Sequence, residues 1–170
     1  MRVIANTTVI SNFASIGQLD VLRQLFGALA ISTEVYDEIQ DGLGEGYRFY
    51  EGVEHLVLPF AEEGWIHLIG MSHAEELRYF HELPSRLHRG EASSLAIAHH
   101  RGWLFLTDDH AARTEATRLG IPVSGSIGCL VLAIERRLCD LPQANIWLQE
   151  MIGHGYRSPV NDLTPLLEHQ

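Results

Sequence analysis

A chain of 170 residues, 46% hydrophobic and 20% charged, has the composition of one soluble globular domain and excludes a disordered or fibrous protein. The longest uninterrupted apolar stretch, Cys129 to Ile134, is far too short to cross a bilayer as a helix. A net charge of −10 argues against a wide basic face for nucleic acid. It leaves room for a cluster of carboxylates that a divalent cation neutralises.

The chain opens on Arg2-Val3-Ile4-Ala5, a short buried strand rather than a signal peptide. Asn6-Thr7-Thr8 is then a helix start, because these side chains accept from unpaired backbone N–H groups. Val9, Ile10 and Phe13 form the apolar face of a helix that stops at Gly17, and Asp20 to Phe26 reads as a second amphipathic helix. Ala28 to Ser32 is a second strand, followed by a helix through Val35, Tyr36 and Ile39 to the Gly42-Leu43-Gly44 break. The span 45–63 carries the weakest pattern: Tyr47 to Leu58 reads as a helix ended by Pro59. Trp65 to Ile69 is a third strand and Ser72 to Leu83 a polar helix closed by Pro84. Glu91 to His100 is a helix covering a sheet, and Trp103 to Leu106 an apolar strand of the parallel kind. Asp109 to Leu119 forms a helix, Ile121 to Ser124 the last strand, Ile127 to Leu138 and Asn145 to Ile152 the closing helices. Gly153-His154-Gly155 then releases a polar tail, so one domain over 1–155 and a tail over 156–170 are expected.

Strands alternating with helices imply a parallel sheet covered on both faces. Ligands of such sheets bind outside the carboxyl ends of the strands, where strand order reverses. Asn6 directly follows the first strand, and Asp108-Asp109 directly follows the fourth. If those strands are neighbours, both groups face one crevice, and Glu38 and Glu91 arrive there from flanking helices. Clustered oxygen ligands suit Mg²⁺ or Mn²⁺, which in turn suits phosphodiester hydrolysis. Without metal the same cluster repels itself. Taken singly, each acid has a plainer role: Glu38 as a solvated helix residue, Glu91 favoured by the helix dipole, Asp108-Asp109 as a cap. Arg86, His88, Arg89, Arg101, Arg113 and Arg118 crowd the middle of the chain, either as a phosphate-facing rim or as ordinary surface charge. Cys129 and Cys139 follow no ligand spacing and read as thiols of a cytoplasmic protein.

Four stretches in order carry a resemblance: Val3 to Ala14, Ser32 to Ile39, Gly90 to Ala98 and Leu106 to Arg113, supported by Leu119 to Gly128. They resemble the PIN-domain ribonucleases, in particular the toxin-like branch of toxin–antitoxin pairs. The resemblance implies a three-layer α/β/α fold with a five-stranded parallel sheet. It implies Mg²⁺- or Mn²⁺-dependent cleavage of single-stranded RNA, an antitoxin protein as partner and a homodimer. Carried over by position, Asn6 stands where the family has its first aspartate. Glu38 takes the second acid, Glu91 the third, and Asp109 or Asp108 the fourth. Thr7 and Thr107 match supporting hydroxyls, and Arg113 is a further supporting residue. Asparagine offers a carbonyl oxygen but no charge, so a second reading is a catalytically silent PIN fold used for binding or assembly. A phosphorylated receiver-like switch lacks its acid pair after the first strand and its late lysine.

Overall fold

The computed structural model describes residues 2–168; Met1, His169 and Gln170, the last two in the expected tail, lie outside the described residues. Six strands form one all-parallel sheet: β1 (Val3–Ala5), β2 (Leu29–Ser32), β3 (Val57–Leu58), β4 (Ile66–Ile69), β5 (Leu104–Leu106) and β6 (Val123–Ser124), in the order β3-β4-β2-β1-β5-β6. The helices are α1 (Thr7–Ser15), α2 (Leu19–Phe26), α3 (Thr33–Gly44), α4 (Ala74–Glu82), α5 (Arg89–Arg101), α6 (His110–Arg118), α7 (Ser126–Glu135), α8 (Leu141–Gly153) and α9 (Thr164–Leu167).

The strands alternate their side chains between two apolar layers, as the pleat requires. Val3 and Ala5 of β1, Leu29 and Ile31 of β2 and Leu106 of β5 face one layer, with Val9, Ile10 and Phe13 of α1, Leu22 of α2, Ile39 of α3, Leu130 of α7 and Leu148 of α8. Ile4, Ala30 and Phe105 face the other, against Leu95 and Ile97 of α5 and Ala112 and Ala116 of α6. Helices therefore cover both faces, and a three-layer α/β/α sandwich results. β1 lies at its centre because it has apolar side chains on both sides and none exposed.

Two features differ from expectation. The sheet has six strands rather than five, because the span 45–63 is not a helix. Gly52, at φ 83°, adopts the left-handed conformation that interrupts helical propagation. Two 3₁₀ turns, Arg48–Tyr50 and Val53–Leu56, fill the span, and Val57 and Leu58 then pair with β4 at the sheet edge. The residues after Gly155 are not released either. Tyr156 and Val160 pack against the larger core, Leu163 is fully buried, and its N–H donates to Asn145 Oδ1 (2.9 Å). These few apolar anchors, spaced among polar residues, make no helical or strand period, and so the segment reads as polar.

Ser32 joins the two sides of the β2–α3 junction. Its buried hydroxyl caps α3 by accepting from Val35 N–H (3.1 Å) and also accepts from Ser93 Oγ (2.7 Å) on α5. Ser32→Ala is expected to lower unfolding stability by about 1–2 kcal/mol, the range for a lost cap with a buried partner left behind. Urea denaturation checks this.

Candidate active site

The chain places β2 to β4 on one side of β1 and then returns to β5 on the other, so order reverses between β1 and β5. Their register, Val3 with Leu104, Ile4 with Phe105 and Ala5 with Leu106, brings the next residues, Asn6 and Thr107, side by side. Asn6 N–H donates to Leu106 O at 3.0 Å and continues the ladder.

Asn6 is 2% exposed and has an extended backbone (φ −93°, ψ 179°), the conformation of a helix cap. Its Oδ1 accepts from Thr8 N–H (3.1 Å) and Thr8 Oγ1 (2.6 Å), and its Nδ2 donates to Thr107 Oγ1 (2.7 Å). Thr8 Oγ1 in turn accepts from Asp108 N–H (2.9 Å), and Thr107 Oγ1 from Asp109 N–H (3.1 Å). The turns after β1 and β5 are thus cross-stitched by two threonines. Thr8 was not singled out from sequence. The signal was available, since its hydroxyl lies two residues past the cap and inside the same T-T pair as Thr7.

Glu38 reaches the crevice from α3. Thr7 Oγ1 donates to its Oε2, and Gly90 N–H to its Oε1 at 3.0 Å. A Cβ at Gly90 would stand 2.6 Å from that oxygen, so any larger residue there displaces the Glu38 carboxylate from this position. Glu91, in the first turn of α5, accepts from His88 N–H with Oε2 (3.0 Å). Burial pushes the Glu91 carboxyl up from the ordinary range; the Asp109 and Glu38 charges push it further, opposed by the His88 N–H and ring. Asp109 caps α6 through Oδ1, which accepts from Ala112 N–H at 2.8 Å. Glu38, Glu91 and Asp109 therefore share one electrostatic neighbourhood beside Asn6, at the carboxyl end of the central strands.

Asp108 points elsewhere. Its oxygens accept from Ser126 N–H (2.8 Å), Ser126 Oγ, Asn12 Nδ2 (2.9 Å) and Tyr156 OH (3.3 Å). It is a fully engaged strut between α1, α7 and the C-terminal segment, and the tyrosine hydroxyl beside it is raised by burial and then by its charge. Of the two adjacent aspartates, Asp109 faces the other acids. Asn12, Ser126 and Tyr156 carried no sequence signal of this role, since each meets Asp108 only through the tertiary fold. Arg113 donates from Nη1 to Thr107 O (3.0 Å) behind the same turn. On the α3 side Glu38 also borders a cleft of about 520 Å³ whose lining includes Glu34, Asp37, Asp41, His88 and Arg89.

A tighter group of ligand-type side chains lies away from the crevice. Among the described residues, His73, Glu76 and His100 bring ligand atoms within 4.8 Å of one another. The Glu76 carboxylate is already filled by Arg101 Nε (2.5 Å) and Nη2 (3.1 Å) and by the Ser72 and His73 N–H groups. Burial alone would raise Glu76, but those donors hold it at about 2. It is a buried ion pair that ties α4 to α5, with its lone pairs spent on arginine. The crevice acids are not drawn so close, as expected of like charges.

The molecule is a doubly wound parallel α/β domain with carboxylates at its switch point. A family model described as a PIN domain matches residues 2–169, and the chain belongs to the PIN-domain family. No curated protein matches it. Among the described residues, no helix is long and apolar enough to cross a membrane.

Proposed function

We propose that the protein is a metal-dependent endoribonuclease acting on single-stranded RNA, the toxin member of a cytoplasmic toxin–antitoxin pair. The observation that supports this reading is that Glu91 is raised by burial and then by the charges of Asp109 and Glu38, while Glu38 is held by Thr7, the neighbour of Asn6. Such a set is unfavourable alone and fits a hard divalent cation, Mg²⁺ or Mn²⁺, which takes oxygen donors. Glu38, Glu91 and Asp109 would hold the ion, which supplies positive charge against the phosphate during hydrolysis. The chain's own residues set the stage for it. Thr7 and Gly90 fix both oxygens of Glu38. His88 and Ala112 N–H groups each fix one oxygen of Glu91 and Asp109 and leave the other to a ligand. A homodimer and an antitoxin protein partner belong to the same reading.

One observation favours the alternative, a silent PIN fold used for binding or assembly. The Asn6 carbonyl already accepts from Thr8 twice, so it is a poor donor to a cation. The two readings part on one experiment. In the ribonuclease, Mn²⁺ or Mg²⁺ raises the melting temperature by about 2–4 °C for each kcal/mol of binding free energy. Cleavage of a single-stranded RNA then follows metal and stops with chelator. A folded protein with neither the shift nor cleavage is the silent module. Growth arrest on expression, relieved by Glu91→Gln, tests the toxin role.

A further inference from the structure

On the far side of Asp108 from the acids lies a second cavity, of about 270 Å³, whose lining includes Arg113, Ser124, Gly125, Gly128, Tyr156 and Arg157. Its chemistry is opposite to that of the α3 cleft. Neither Arg113 nor Arg157 forms an ion pair among the described residues, whereas Arg78, Arg101 and Arg118 each do. Among the described residues the one carboxylate in the lining, Asp108, is saturated by Ser126, Asn12 and Tyr156. Arg113 uses Nη1 on Thr107 O, which anchors the guanidinium and leaves its other donors without an acceptor among the described residues. The floor is cut to backbone. A Cβ on Gly125 would collide with Asp108 Oδ1 and stand 3.0 Å from Arg113 Nη1, and one on Gly128 would collide with Ser124 Oγ. Every one of the 12 basic side chains in this chain is arginine, whose planar fork matches phosphate oxygens.

We propose that this cavity is a phosphate-ester subsite, in which Arg113 and Arg157 hold a backbone phosphate of the nucleic acid strand next to the one at the acids. The proposal rests on the nuclease reading for its choice of ligand. Position supports that choice: Thr107 joins the two sites, its hydroxyl bonded to Asn6 and Asp109 N–H and its carbonyl to Arg113. Direction supports it as well. The α3 cleft, where Glu34, Asp37, Glu38 and Asp41 outweigh Arg89, is net negative and repels a polyanion, so the strand leaves the acids toward Arg113 and Arg157. A chain of net charge −10 then binds its substrate through a local patch rather than a basic face.

The test is fluorescence anisotropy of the full chain with a labelled single-stranded RNA, in chelator so that no cleavage intervenes, across a salt series. Arg157→Gln, at an exposed position, is expected to weaken binding several-fold and to reduce the slope of log K against log salt by about 0.7, one phosphate contact on a single strand. Arg113→Gln is expected to do the same, and Arg157→Gln decides alone if the loss of the Thr107 contact unfolds that variant. Arg23→Gln, an equal charge change outside the cavity, serves as the control and is expected to bind like the wild type. Equal binding by Arg157→Gln and wild type, or an equal loss in Arg23→Gln, overturns the subsite. Competition with a nucleoside 5′-monophosphate separates the two sources of phosphate: displacement at matched phosphate concentration assigns the cavity to free nucleotide, and its absence to the backbone. Wild type that cleaves while Arg157→Gln binds normally sinks the subsite only. Arginine-dependent binding without metal-dependent cleavage sinks the nuclease reading only.

Discussion

Glu91→Gln is expected to reduce metal-dependent RNA cleavage at least about 100-fold, since even outer partners of a metal ligand are worth 10–100-fold in metal affinity or activity. The same change is expected to abolish most of the thermal stabilisation by Mn²⁺ while leaving the chelated protein as stable as before or more so. That combination follows from the surroundings of Glu91. The folded protein raises its carboxyl, first by burial and then through Asp109 and Glu38, so the folded state holds the proton more tightly than the unfolded chain. The sign follows by linkage. The contribution is fully present below the ordinary glutamate range and is lost as pH rises through the raised folded value. In chelator, wild type therefore loses stability over that window and Glu91→Gln does not. Metal binding, which needs the deprotonated carboxylate, strengthens over the same window. Thermal unfolding against pH, with chelator and with Mn²⁺, reads all of this. A fall in chelated stability on Glu91→Gln would mean that the α5 N-terminus favours the Glu91 charge more than burial and the other acids oppose it.

Asn6→Asp is expected to move stability in opposite directions with and without metal. The position tolerates the change sterically. Thr8 still donates twice to the retained oxygen. The lost Nδ2 contact can reverse, because Thr107 Oγ1 now accepts from both Asn6 and Asp109 N–H, and its own proton is free to go to a carboxylate. The added charge is the large effect. It enters a 2% exposed position beside three acids, so chelated stability falls by about 1–3 kcal/mol. With Mn²⁺ the same charge tightens binding, and cleavage rises. A simple cap role predicts almost no change under either condition, asparagine and aspartate being comparable caps. Paired unfolding curves and an RNA cleavage assay on both proteins decide between the two.

The parallel fold was legible because its strands are short apolar runs that end at polar pairs, and its helices begin at Asn6, Ser32, Asp109 and similar caps. β3 was not, since two residues at a sheet edge leave no period to read and Gly52 breaks a span that otherwise looks helical. Of the candidate site, the places of Asn6 after β1 and of Asp108-Asp109 after β5 were legible, because each directly follows a short apolar strand. What the order of residues could not separate was Asp108 from Asp109. Adjacent side chains leave a turn in different directions, and only the arrival of Ser126, Asn12 and Tyr156 decides which one is tied away. The arginine cavity was hidden for the same reason. Arg113 and Arg157 are far apart in sequence and meet only because the segment after Gly155 folds back.

The stitching of Asn6–Thr8 to Thr107–Asp109 has a consequence for motion. Each hydroxyl serves both turns at once, so neither turn can open without breaking bonds that hold the other. The mouth of the crevice therefore has no independently fluctuating loop on this side. It is expected to open as one small cooperative unit, with the backbone amides of Asp108 and Asp109 exchanging their protons together in a hydrogen-exchange measurement.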